Sequence, residues 1–170
     1  MNLDNVIKKV PDFPKPGILF YDITSLFTNI DAFNYISNKM LELYKDIKID
    51  GVIAIESRGF ILGSILAFKK KVPLILARKP GKLPRETIKQ NYSLEYGESS
   101  LEIHISDISA NKQYLIVDDL IATGGTIKAV IDIINKQNAT ISGIFAIIGL
   151  TFLNYKEKFN NYNLSILQEY

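Results

Sequence analysis

The sequence predicts an α/β protein with a mostly parallel central sheet and flanking helices, on three observations. Apolar, β-branched runs occupy 51–56, 72–77, 114–117 and 141–150 without the polar alternation of a half-exposed strand. The stretches around them carry apolar residues at helical spacing instead. Strands that are apolar on both faces and alternate with helices assemble through right-handed crossovers into a sheet covered on both sides.

From Asp31 the apolar residues Phe33, Ile36, Met40, Leu43, Tyr44 and Ile47 line one side of a helix that ends near Lys48. The run 51–56 is the first buried strand, and 60–68 reads as a helix despite the propensity cost of Gly63. The run 72–77 is the next strand. Residues 86–105 lack a helical period, but 92–96 and 101–105 alternate as two strands joined through 97–100, a hairpin that projects from the sheet. After the strand 114–117, Ile127, Val130, Ile131 and Ile134 fit the spacing of a helix with one buried face. The run 141–150 supplies a further strand.

A chain of 170 residues can bury a core without disulfides or metals, and nothing in it marks a second domain, so 1–170 is read as one unit. It contains no cysteine, which excludes a disulfide scaffold, thiolate zinc sites and cysteine nucleophiles, and which suits a reducing compartment. Twenty Lys and Arg against eighteen Asp and Glu leave a formal charge of +2, too balanced for a general nucleic-acid binder. There is neither a signal-peptide core nor an apolar run of membrane-spanning length. The expectation is a soluble, cytoplasmic protein with no nucleic-acid and no membrane partner. His104, the one histidine, lies in an alternating strand without metal-ligand spacing and is read as a strand-face residue. Lys69, Lys70 and Lys71 are read as a solvated last helical turn favoured by the helix dipole.

Ligands of open α/β sheets sit at the carboxyl ends of the strands. The loop there with the most chemistry is the string LIVDDLIATGGT, from Leu115 to Thr126. A turn of Ala122, Thr123, Gly124, Gly125 and Thr126 that opens a helix gathers backbone N–H groups at the positive helix end, with hydroxyl donors added. That suits a phosphate monoester. Asp118 and Asp119, just upstream, are wrong for phosphate but right for accepting hydrogen bonds from vicinal hydroxyls. Together they describe a ribose 5-phosphate. The plainer alternative is a solvated turn in which two Asp and two Gly reverse the chain. Their joint occurrence, after a buried strand and before a periodic helix, favours the ligand. Neither a P-loop consensus nor a dinucleotide-binding glycine triplet competes with it.

The string resembles the signature by which type I phosphoribosyltransferases bind 5-phosphoribosyl 1-pyrophosphate (PRPP), so a second anion, the pyrophosphate leaving group, is expected. Ser57 and Arg58, between the strand 51–56 and the helix after it, are placed to hold it, since a guanidinium matches its oxygens bidentately. The stretch 78–85 puts four cations after the strand that ends at Ala77, and Arg78, Lys79 and Lys82 are assigned to the same anion, with Arg85 left aside. A surface ion pair and a solvated loop are the plainer readings of these two segments. The hairpin beyond them is read as a lid that keeps water from an electrophilic ribosyl centre, rather than as decoration.

Five segments, PKPGILFYD (14–22), SRGF, RKPGKLPRETI, YSLEYGESSLEIH and VDDLIATGGT, occur in this order and resemble the adenine phosphoribosyltransferase family from about Asp12 onward. The resemblance implies that residues 1–30 cover the base. Phe20 would stack on adenine, the backbone of Leu19 would bond its edge, and Leu150 would contact its other face. It implies that Glu95 handles the proton at N7, as the catalytic group, and that Tyr96 helps close a hood over the site. Residues 78–105 would be the pyrophosphate loop and lid. It further implies Mg²⁺, bound mainly through PRPP and pyrophosphate, and a homodimer. The implied reaction joins N9 of adenine to C1′ of PRPP, giving AMP and pyrophosphate. Tyr21 departs from the pattern, because relatives commonly carry Arg there, and altered lid behaviour or substrate affinity is expected. The alternatives are transfer to another purine, such as xanthine or guanine, and a non-enzymatic PRPP sensor.

Overall fold

The computed structural model describes residues 1–93 and 97–170, and the α/β reading holds. A short turn at Leu3–Asn5 leads into an antiparallel arm, β1 (Lys8–Pro11) and β2 (Leu19–Asp22), which pair with each other. A four-residue helix, α1 (Thr24–Phe27), precedes α2 (Ile30–Leu43), whose first turn is capped by the Asn29 side chain accepting from the Ala32 N–H at 3.0 Å. The helix expected to reach Lys48 stops at Leu43. Beyond it the fully buried Tyr44 donates its hydroxyl to the Ile144 carbonyl at 2.9 Å. Lys70 Nζ then takes the Tyr44 and Lys45 carbonyls at 2.7 and 2.9 Å, satisfying two acceptors just past the helix. Ile47 keeps the apolar period because it still packs on the core, without being helical.

Burial pushes the Tyr44 phenol up to about 12, so it stays a neutral donor. Tyr44→Phe should cost about 1 kcal/mol of unfolding free energy in a urea titration, with an unchanged m value, because one buried bond is lost and the ring remains.

The remaining elements are β3 (Gly51–Ile55), α3 (Gly59–Lys70), β4 (Leu74–Ala77), β5 (Thr87–Ser93), β6 (Glu98–His104), β7 (Gln113–Val117), the two-residue β8 (Leu120–Ile121), α4 (Gly125–Lys136), β9 (Thr140–Gly149) and β10 (Leu164–Glu169). The central sheet has the order β10-β9-β7-β3-β4, with β8 also on β9, and every pairing in it is parallel. On one face α2 and α3 bury Ile36, Met40, Leu62 and Leu66 with Val52, Leu115 and Val117. On the other, α4 and the β5–β6 hairpin bury Val130, Ile134 and Leu101 with Ile53, Ile116 and Ile144. Coverage of both faces is why the strands read as continuous apolar runs. The order reverses between β3 and β7, so the crevice beyond their carboxyl ends is the topological switch point.

Strand boundaries differ from expectation where local chemistry intervenes. β4 starts at Leu74 because Pro73 has no N–H to give, although its carbonyl still accepts from the Val52 N–H at 2.9 Å. Residues 98–100, expected in the hairpin turn, belong to β6, where Glu98 faces Ser93 and Ser100 faces Asn91. β5 correspondingly begins at Thr87. His104 is buried at the end of β6 and accepts the Arg85 N–H at 3.2 Å through Nε2, in keeping with a strand-face role. Among the described residues no helix is long and apolar enough to cross a membrane.

Candidate active site

β7 delivers two carboxylates to the switch point. The Asp118 N–H donates to the Phe145 carbonyl at 3.0 Å, which continues the ladder, and the Asp119 carbonyl accepts from the Ile147 and Ile148 N–H groups at 3.1 and 3.0 Å. The backbone of both residues is therefore fixed by the sheet. Both are buried, and Asp118 Oδ1 accepts the Asp119 N–H at 2.8 Å. Gly59 lets the start of α3 lie against them: a Cβ there would stand 2.8 Å from the Val117 carbonyl oxygen and 3.3 Å from Asp118 Oδ1. Burial, followed by the negative charge of Asp119, holds the Asp118 carboxyl well above its ordinary range. Arg58 Nε donates to Asp119 Oδ2 and so ties the loop after β3 to the loop after β7 across the switch point.

Downstream of β8 the chain turns through Ala122, Thr123 and Gly124 into α4, with Gly124 as the N-cap at φ +79°. The first amides of α4 have no intrahelical acceptor, and the positive helix end adds to their pull on an anion. Lys158 Nζ donates to the Thr123 carbonyl at 2.6 Å, holding the turn from outside. Asp118, Asp119, Ala122, Thr123, Gly124 and Thr126 line one cavity of about 300 Å³, and Glu56, Arg58 and Lys79 join its wall. Gly125 is the first residue of α4.

The expected pyrophosphate residues divide. Arg58 and Lys79 face the cavity. Ser57 lies exposed between Glu56 and Arg58, its carbonyl accepting from the Phe60 N–H at 3.2 Å. Arg78 and Lys82 both pair with Glu56, at 3.3 Å for Arg78 Nε, and the Lys79 N–H donates to the same carboxylate at 3.0 Å. Burial alone would raise the Glu56 pKa, but these donors, with Lys82 foremost, hold it below the ordinary carboxylate value. Glu56 thus gathers the cationic loop at the cavity edge. Arg85 turns away, making a two-point pair with Asp107 at 2.8 and 2.9 Å.

Leu19 and Phe20, adjacent on β2, project to opposite sides as strand geometry requires. Leu19 and Leu150 share a recess of about 530 Å³ with Tyr21 and Ala122. Phe20 lines a second recess, of about 460 Å³, with Phe13 and Arg58, its ring edge-on to Phe13 at 4.9 Å. Phe20 and Leu150 are therefore not opposed across one space. Each recess adjoins the central cavity through a shared residue, Ala122 for one and Arg58 for the other. Tyr21 stacks on Tyr170, centroids 3.9 Å apart and planes 22° from parallel. Glu95 and Tyr96 lie outside the described residues.

Glu56 and Lys158 were missed by the reading of the sequence alone. The signal for Glu56 was an acid ending an otherwise apolar strand within reach of a cationic loop; Lys158, thirty-five residues from Thr123, left none.

Comparison with known proteins agrees with this geometry. A model of the phosphoribosyl transferase domain matches residues 23–159. An adenine phosphoribosyltransferase of Treponema denticola is 48% identical over 168 residues, covering 99% of this chain and 88% of that protein. The crystal structure of adenine phosphoribosyltransferase from Thermoanaerobacter pseudethanolicus superposes with a TM-score of 0.93 at 39% identity, covering 99% of this chain and 98% of that one. The Saccharomyces cerevisiae enzyme, solved with an imino-altritol bisphosphate and adenine, gives 0.89 at 34% identity over 98% of this chain and 96% of that one. With a switch-point site and near-complete coverage by such relatives, the chain belongs to the adenine phosphoribosyltransferase family.

Proposed function

We propose that the protein transfers the 5-phosphoribosyl group of PRPP to adenine, releasing AMP and pyrophosphate in purine salvage. The observation that carries this is the juxtaposition, in one cavity, of a buried carboxylate pair and the turn into α4. Asp118 and Asp119 accept the ribose hydroxyls, and the turn 122–126 takes the 5-phosphate on its amides and threonine hydroxyls. Arg58 and Lys79 supply positive charge to the pyrophosphate, with Ser57 beside them, while Arg78 and Lys82, drawn together by Glu56, hold the loop and add to its field. Pyrophosphate leaves C1′ as N9 of adenine approaches from the side of the β1–β2 arm, where Leu19 and Leu150 line the recess for the base and Phe20 lines the adjoining one. Glu95 handles the proton at N7, and Tyr96 helps close the lid.

Magnesium fits this donor set. Mg²⁺ is commonly held by one or two carboxylates together with substrate phosphates, and Asp118 and Asp119 stand beside the phosphate cavity. The ion would be held mainly through the substrate's phosphate oxygens and would supply neutralising charge to the pyrophosphate. A homodimer and a cytoplasmic location complete the reading. The dimer is supported by exposed apolar side chains on α3 and β4, Ile61, Phe68 and Leu74, and sedimentation tests it.

Incubation with PRPP, Mg²⁺ and either adenine or hypoxanthine should give AMP from adenine alone. Product from hypoxanthine alone would refute the substrate, and no product from any base would favour a PRPP sensor. Glu95→Gln should lower kcat about 100-fold, the effect of losing one preorganised contact worth about 3 kcal/mol. Unchanged turnover would remove Glu95 from its role.

A further inference from the structure

The β1–β2 arm carries Leu19 and Phe20, yet its strands pair only with each other among the described residues. A two-stranded ribbon is marginal by itself, and β1 is exposed along its length. At its base the arm runs into buried Ile7 and Ile23, and the Lys8 N–H donates to Ser25 Oγ at 3.1 Å; beyond that base, side chains hold it to the body. One cross-strand pair supplies them: Lys9 of β1 stands opposite Tyr21 of β2. Both grip the same residue, Tyr170. The Tyr21 ring stacks on it at 3.9 Å, and the Lys9 ammonium lies 5.5 Å from its centroid. The Tyr170 hydroxyl donates to Asp4 Oδ1 at 2.5 Å, and Asp4 is in turn paired with Lys9 at 2.7 Å.

Tyr170 is itself anchored beside the base recess. Its N–H donates to the Gly149 carbonyl at 3.0 Å, and its carbonyl oxygen accepts from the Thr151 N–H at 2.7 Å and the Thr151 hydroxyl at 2.6 Å. These bonds straddle Leu150, which lines the recess together with Leu19 and Tyr21. One residue thus joins the arm to the backbone around Leu150.

We propose that Tyr21, Lys9 and Tyr170 form a clamp that sets the aperture of the adenine recess. They are positioning residues that govern base affinity without touching PRPP. The clamp rests on the adenine reading above and names what regulates that part of the site. An aromatic stack contributes about 0.5–1.5 kcal/mol beyond burial, which corresponds to about 2- to 10-fold in affinity.

Steady-state kinetics of the full chain test it, varying adenine at saturating PRPP and the reverse. Tyr170→Ala and Tyr21→Ala should each raise the KM for adenine about 5-fold, leaving the KM for PRPP within 2-fold. Tyr21→Phe, which keeps the stack, should stay near wild type. The double alanine variant should be little worse than either single one, because both remove one contact. A purely structural role would lower thermal stability and the active fraction with no split between the two KM values. Should Tyr170→Ala fail to fold, Tyr21→Ala, at a half-buried position of the arm, decides alone. Normal wild-type turnover of adenine with an unchanged adenine KM in the alanine variants would refute the clamp and leave the function standing. A wild-type protein that does not turn over adenine would refute both.

Discussion

Gly124→Ala should destabilise the protein by about 2–5 kcal/mol and raise the KM for PRPP by at least 10-fold. Gly124 sits at φ +79° as the N-cap of α4. A non-glycine residue in the left-handed region costs about 1–2 kcal/mol. A Cβ there would also lie 2.7 and 2.8 Å from two carbons of the Phe159 ring. Phe159 is buried in the core cluster that includes Tyr155 and α4, so its ring could move only by repacking that cluster or shifting towards the neighbouring recess between residues 156 and 169. Overpacking a filled site adds about 1–3 kcal/mol. The strain would be relieved by moving the turn, and the turn carries the amides assigned to the 5-phosphate. Denaturant unfolding and PRPP titration should therefore fail together. A variant with wild-type stability and PRPP affinity would show that the turn is neither rigid nor used. This is a different outcome from Tyr44→Phe, where stability changes far from the cavity and substrate affinity should not.

The parts of this architecture legible in the sequence are those whose cause is local. β3, β7 and β9 were read correctly because helices on both sides leave them no polar face. The site string was legible for a related reason: acid pair, turn and helix start are contiguous, so one segment presents most of a ligand cradle. What depends on distant partners was not legible. Beyond the end of α2 the Tyr44 carbonyl is taken by the ammonium of Lys70, twenty-six residues on. β10 gives no alternation because it is an edge strand, half-buried from Leu164 to Gln168. The arm strands are exposed or half-buried and held by Tyr170, a contact between opposite ends of the described chain. Arg78, Lys79 and Lys82 read as equivalent cations, and only the position of Glu56 separates the one that faces the cavity from the two that pair beside it. Tyr21 departs from the family pattern, but nothing local to it could indicate a stacking partner.

The two aspartates, equivalent in the sequence, should both be needed for activity but should separate in their effect on stability. Asp119 faces the cavity and is paired with Arg58. Asp119→Ala removes an acceptor for a ribose hydroxyl and leaves Arg58 without this partner. Two charge-assisted bonds at about 1.5–3 kcal/mol each correspond to a loss of about 10²–10⁴ in kcat/KM for PRPP. Asp118 is buried like its neighbour, and that burial together with the Asp119 charge raises its pKa above the ordinary 3.8. In the native state it keeps a proton that the unfolded chain has already released. The native state therefore binds more protons, and stability must fall as pH rises through the folded value, having been fully present below the unfolded one. Asp118→Asn has nearly the same shape, can accept the Asp119 N–H through its own oxygen, and does not ionise. The variant should match wild type in unfolding free energy near pH 4 and exceed it at higher pH, while losing activity because an amide, unlike the acid, cannot ionise into a charged acceptor when the ribose hydroxyl binds. A stability gain coupled to lost function is expected of a buried acid retained for its chemistry. Urea titrations of both proteins at several pH values provide the measurement. An Asp118→Asn advantage that shrinks as pH rises would mean that Asp118 is ionised and stabilising in the native state, and that the acid pair holds its charge without help from a ligand.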